Sequence, residues 1–204
     1  MSTSTGYFQI GRKKTERLTA QQFGYWSLRW ATDNVAAAIQ RFKSPQHSGA
    51  RYAAEFSEGE YYLKLQLLAL YGAIYWVYAI STPEVTASTR DNMNVGFSDS
   101  VKDLRNPLGN TLSAVEENYF LASFNIYIES ILADMSAAGD HDLGVFRPEV
   151  SKVSVAFFEN IAIAYPKLSS TTALDRLSLS HNIAEIPLIM FKALDSEIGL
   201  EYFP

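Results

Sequence analysis

The stretch from Ser57 to Ile80 constrains the fold more than any other part of this chain, because no helical face of it is polar. At about 100° per residue, Leu63, Leu67, Leu70 and Ile74 form one face. Tyr61, Leu68, Tyr71, Tyr75 and Tyr78 form a second, and Tyr62, Ala69, Ala73, Trp76 and Ile80 fill the remainder. A helix that is apolar all round must be buried all round. The prediction is an all-α, single-domain bundle of about five to six helices with helix 57–80 as its central post. Buried tyrosines keep a hydroxyl that needs a partner, so Tyr71, Tyr75 and Tyr78 are candidates for the wall of a ligand site. The plainer expectation is that they reach the rim of the bundle.

The uncharged run from Leu65 to Pro83 approaches the length of a membrane span. Gln66, Ser81, Thr82 and Pro83 shorten its apolar part, and no Lys/Arg cluster flanks it. A core helix is therefore expected here rather than a span. The first residues lack an apolar signal core, so the cytoplasm is the expected location. With no cysteine in the chain, disulfides, thiolate nucleophiles and Cys-held metals are excluded.

Other helices announce themselves by period and caps. One is predicted from Thr19 to Phe42, and one opens on the Ser113/Glu116 capping box and ends at Gly139. Another should open at Arg147-Pro148-Glu149 and stop before Pro166. A short helix over Asp175–Leu179 precedes a further one from Ser180 that bends or restarts at Pro187. Two segments lack helical apolar period. Residues 1–18 read as a basic N-terminal arm on a helical domain of residues 19–204. Residues 82–112 read as a long polar connector, with only a brief helix near Asp99–Arg105 and the highest internal mobility over 84–110.

Charge divides sharply along the chain. Residues 1–52 hold eight basic and two acidic side chains, a formal +6, and the rest carries −11. The asymmetry predicts either a basic quarter matched to an acidic body or a positive surface kept for a partner. The first helix sharpens the second alternative, because it has two apolar sides. Leu28, Val35, Ile39 and Phe42 lie on one, and Phe23, Trp26 and Trp30 lie nearly opposite, with Arg29 and Arg41 at the border. Phe23, Trp26, Arg29, Trp30 and Arg41 are therefore the candidate interface, toward a protein partner or a second copy of the chain. An interaction or regulatory protein is the leading functional expectation.

Two alternatives rest on other residues. Nucleic acid could be touched by Arg12, Lys13, Lys14 and Arg17, although the acidic body opposes a polyanion. Glu129 and Glu159 interrupt apolar runs, and His181 and Glu185 share a helical turn, so these four are the candidates for a metal site inside the bundle. The Glu-x-x-His pairs that define dimetal carboxylate bundles are absent, and no cofactor is expected. Asp140-His141-Asp142 reads as a turn. No nucleophile elbow, phosphate loop or dinucleotide fingerprint is present.

Overall fold

The structure is a computed structural model that describes residues 6–11, 16–43, 60–138, 151–164, 173–195 and 199–204, with side chains undescribed at 41–43, 138, 162–164 and 173–182. Among the described residues are six helices and a small sheet. Strands β1 (Tyr7–Ile10) and β2 (Glu16–Thr19) lead into α1 (Ala20–Lys43). Then come α2 (Glu60–Ile80), α3 (Ala87–Lys102), α4 (Ala114–Ala138), α5 (Lys152–Ala164) and α6 (Ala173–Ala193), and β3 (Glu201–Phe203) closes the order. The bundle is as the sequence predicts. Leu67, Leu70 and Ile74 of α2 are fully buried, and α1, α4, α5 and α6 all pack on that helix. By length and composition α2 could cross a membrane, yet 83% of its most apolar stretch is covered by the rest of the chain.

A polar pair of contacts is built into the centre. Gln66 of α2 is wholly buried, and its Nε2 donates to Ser123 Oγ at 2.7 Å. Its Oε1 accepts from the Tyr127 hydroxyl, and Ser123 in turn donates to the Tyr119 carbonyl at 2.9 Å. Burial pushes the Tyr127 hydroxyl far above the ordinary tyrosine range. Because an unpaired amide in this core would cost about 1–3 kcal/mol, the pairing fixes the rotation of α2 against α4.

The 82–112 connector is a correction. Thr86 caps a helix there, accepting from the Thr89 amide at 3.2 Å, and α3 packs along α1 more extensively than any other pair of elements. Its buried residues, Thr89, Met93, Gly96, Phe97, Ser100 and Val101, do keep helical spacing. Half of them are small or polar, so a count of apolar residues misses the face. The helices approach until backbone meets backbone: a Cβ on Gly24 would lie 2.0 Å from the Met93 carbonyl oxygen, and one on Gly96 1.8 Å from that of Gln21. Phe97 then reaches inward to stack on Phe124 with ring centroids 4.1 Å apart.

The 1–18 arm is a second correction, because most of its described part is a hairpin. The antiparallel order β2-β1-β3 joins the two ends of the described chain, with Phe8 opposite both Leu18 and Tyr202. Phe8 is buried and stacks on Phe23 at 4.2 Å, so the sheet roofs the start of α1. Tyr202 packs beside Phe8, and its hydroxyl meets Thr89 Oγ1 of α3 at 3.1 Å. Strands of three or four residues are too short to show alternation, and β3 lies far away in sequence.

Helix boundaries follow their caps. Thr19 and Gln22 form a reciprocal box at α1, with Thr19 N–H donating to Gln22 Oε1 at 2.9 Å and Gln22 N–H to Thr19 Oγ1 at 3.2 Å. Ser113 and Glu116 do the same at α4, as predicted. Helix α5 is described from Lys152, where the Asp134 carboxylate accepts from the Lys152 N–H at 2.7 Å and the Val153 N–H at 3.2 Å. Arg147-Pro148-Glu149 and Ser57 lie outside the described residues. The short helix expected over Asp175–Leu179 and the one expected from Ser180 are one, α6, which carries Pro187 in its interior. After it Gly199 takes φ +62, and the Leu200 N–H donates to the Leu194 carbonyl at 3.1 Å, turning the chain into β3.

Candidate functional site

The two-sided α1 is sandwiched mainly by its own chain. Phe23 is fully buried between Phe8 and Trp30, and Trp30 is half-buried with its ring 5.6 Å from that of Tyr75. These two leave the candidate interface for the core. The physical reason is that α2, α3 and the sheet together give α1 more than one neighbour. Trp26 remains outside at 37% exposure, with the Arg29 guanidinium 5.4 Å from its ring centroid and Tyr25 edge-on at 6.0 Å. The Arg41 side chain lies outside the described residues.

Beside Trp26 a groove of about 360 Å³ opens between α1, α2 and the end of α3. Arg29, Lys64 and Arg105 line it with Asp33 and Asp103. Tyr25 Oη donates to Asp103 Oδ2 at 2.6 Å, and this bond raises the Tyr25 pKa while Arg29 opposes the rise. Arg105 Nη1 is fixed by the Lys102 and Leu104 carbonyls, both at 2.9 Å. Tyr61 closes one wall. Its hydroxyl is shut from solvent with no partner at hydrogen-bond distance among the described residues, and burial, with the Glu116 carboxylate adding, pushes it well above the usual range. Glu116 itself is held low by its bonds to Ser113.

The sequence pattern points to Trp26 and Arg29 but not to Lys64, Asp103 or Arg105 as groove residues. Lys64 looks like the polar edge of a core helix, and Asp103 and Arg105 fall in the expected connector. The one available signal is the cluster of charge just past Ser100.

The other candidates disperse. Tyr71 and Tyr75 are buried away from the described cavities, and Tyr75 Oη accepts from Asn34 Nδ2 at 3.2 Å. Of these three tyrosines Tyr78 lines a described cavity, a separate one at the far end of α2. Glu129 and Glu159 are exposed rather than interior. On α4 the buried spacing is Phe120, Phe124, Tyr127, Ile131, which turns Glu129 outward, and Glu159 likewise lies opposite Phe157 and Ile161. Glu185 is half-buried, while the His181 side chain, His47 and Asp140-His141-Asp142 lie outside the described residues. Among the described residues no three His, Asp or Glu side chains gather to hold a metal ion.

Of the basic arm, Arg17 is described, its guanidinium 4.8 Å from the Tyr7 ring centroid on the outer face of the sheet. Arg12, Lys13 and Lys14 are outside the described residues. The class this defines is a helical bundle roofed by a terminal three-stranded sheet, with a Trp–Arg edge beside a mixed-charge groove. No protein-family model, curated protein or solved structure matches the chain.

Proposed function

We propose that the protein acts by associating with another polypeptide, through Trp26 and Arg29 and the groove beside them. The observation that carries this reading is the exposed Trp26 stacked under Arg29, with Tyr25 beside it, on a helix that buries Phe23 and half-buries Trp30. Trp, Tyr and Arg gathered at the lip of a pocket are the composition of an interface hot spot. The three cations of the groove favour an acidic helical face as occupant. The chain carries such a face itself. Helix α4 has Glu116, Glu117, Glu129 and Asp134 and no basic residue, and outwardly it presents Ile126, Glu129 and Leu132. A second copy is therefore the partner we favour, with α1 of one protomer against α4 of the other.

Light scattering over a concentration series tests this. Trp26→Ser and Arg29→Glu should each shift the protein toward monomer with unchanged far-UV helicity. Adding Glu129→Arg to Arg29→Glu should restore association, and rising salt should weaken it in the parent. A parent that is monomeric at every concentration, or an oligomer indifferent to all three substitutions, removes the reading.

A further inference from the structure

A cavity of about 870 Å³ lies at the opposite end of α2 from the Trp26 groove, within the usual size range of small-molecule sites. Its polar lining includes Tyr78 from the last turn of α2, Ser81 just after that helix, and Lys192 and Asp195 from the end of α6. Lys192 and Asp195 have opposite signs, both are exposed, and both already have partners within the chain, so the wall carries no net sign. The two hydroxyls are engaged as well. Tyr78 Oη donates to Asp195 Oδ1 at 3.2 Å, and burial, with Asp195 and Glu201 adding, raises its pKa to about 12, so it keeps its proton at neutral pH. Ser81 Oγ donates to the Val77 carbonyl at 2.8 Å. A hydroxyl has one proton and two lone pairs, so each of these oxygens is left as an acceptor.

Apolar side chains continue the lining inward. Met135, Leu188 and Phe191 border both this cavity and a small pocket that reaches the buried Ile131, Val153 and Pro187. Asp134 supplies a polar side chain there, but its two oxygens already accept from the Lys152 and Val153 N–H groups and the Ser151 hydroxyl, at 2.7–3.2 Å. A buried water needs about two to four polar partners. The inner pocket therefore suits hydrocarbon, and the outer cavity offers acceptors without a net charge.

We infer that this cavity binds an uncharged single-chain amphiphile whose head donates a hydrogen bond, of which a long-chain alcohol is the simplest. The hydroxyl donates to Ser81 Oγ, and the alkyl chain lies along Met135 and Leu188 into the small pocket, where its burial drives binding. A carboxylate head would bring lone pairs against lone pairs. A charged head of either sign would leave water for a wall whose own charges are already partnered. This site does not depend on association through α1.

Calorimetric titration of the full-length protein with octanol, octyl methyl ether and octanoate, each below its solubility limit and aggregation concentration, tests it, with amide chemical shifts mapping the contact. Octanol should bind saturably at one site and shift amides of residues 78–82, 131–135 and 187–195. The ether keeps the chain and loses the donor, so it should bind about threefold to tenfold more weakly, and octanoate more weakly still. Ser81 is exposed, so Ser81→Ala should leave the fold intact, weaken octanol by about the same factor and leave the ether unchanged. Leu188→Trp fills the path of the chain and should abolish binding of both. Ser81→Ala provides the test even where Leu188→Trp is unstable. Octanoate or the ether binding as tightly as octanol, octanol affinity that Ser81→Ala leaves unchanged, or no saturable binding of octanol would overturn the inference.

Discussion

Two parts of this molecule are packed closely by opposite means. Around α2 the space is filled by large side chains: Leu67, Leu70 and Ile74 from the helix, and Trp76 with Phe97, Phe120 and Phe124 in one aromatic group. At the crossing of α1 and α3 it is filled by removing side chains, so that Gly24 and Gly96 let backbones touch. The first arrangement gains from apolar area taken out of water. The second gains from dispersion between closely spaced backbones and depends on nothing being added. They should fail in opposite directions, the jacket of α2 when atoms are deleted and the α1–α3 seam when they are inserted.

Deletion should produce the largest effect. Leu70 has no exposed surface, and Leu70→Ala is expected to cost about 2–5 kcal/mol through lost transfer energy and the cavity left behind. Denaturant unfolding measures this, and a loss below about 1 kcal/mol would mean that the jacket collapses freely and is not close-packed. Insertion at the seam comes next. Gly96→Ala gains up to about 1 kcal/mol of helix propensity, but its methyl has to displace the Gln21 backbone. Overpacking of this kind costs about 1–3 kcal/mol, and because the obstacle is backbone we expect a cost near the upper figure and a net loss of about 2 kcal/mol. A stabilised Gly96→Ala would show that α1 and α3 do not touch at this crossing.

The same contrast explains what could be read in the sequence. The central helix was legible because burial there is written in large apolar residues. The caps at Thr19 and Ser113 were legible because hydrogen-bonding pairs three apart are a local signal. Helix α3 was not, since Thr89, Gly96 and Ser100 are buried for their smallness and look like a loop to any count of hydrophobicity. The sheet was lost for a different reason: β1 and β3 pair across nearly the whole chain, and neither is long enough to alternate. Of the candidate interface, Trp26 and Arg29 are placed where the helical wheel put them. Phe23 is drawn inward by Phe8 of the sheet, which leaves no local signal in the sequence, and Trp30 by Tyr75 of α2.

Alkali offers a graded probe of the jacket. Tyr75 is buried against α1 with its pKa raised to about 12, chiefly by burial, whereas in an unfolded chain it titrates near 10. Below pH 10 both states hold the proton and its contribution is fully present. Between about 10 and 12 only the unfolded state releases it, so stability falls as pH rises, by about 1.4 kcal/mol per unit from this residue. Tyr75→Phe should flatten that part of the stability–pH curve. Tyr25, whose shift comes first from its bond to Asp103 in the solvent-facing groove, should leave the curve nearly unchanged when replaced by Phe. An equal flattening by both would show that burial in the jacket is not what sets the alkaline sensitivity.

The smallest expected effect is the sharpest test of the comparison, because it places a glycine of the jacket beside those of the seam. Gly72 lies inside α2, where a Cβ would find Phe97 Cε2 at 3.4 Å, Phe124 Cε2 at 3.6 Å and Leu28 Cδ1 at 3.7 Å. These are ordinary contacts, and all three are side-chain atoms that can adjust by tenths of an ångström. Gly72→Ala therefore keeps the helix-propensity gain of up to about 1 kcal/mol with little overpacking to set against it. We expect a change between neutral and slightly stabilising, measured in the same denaturant series as Gly96→Ala. The two substitutions are chemically identical and both sites are buried, so an opposite sign can come only from what each methyl meets, side chains at one site and peptide backbone at the other. If Gly72→Ala destabilises as much as Gly96→Ala, the jacket is as intolerant of added atoms as the seam, and the two regions are packed by one rule.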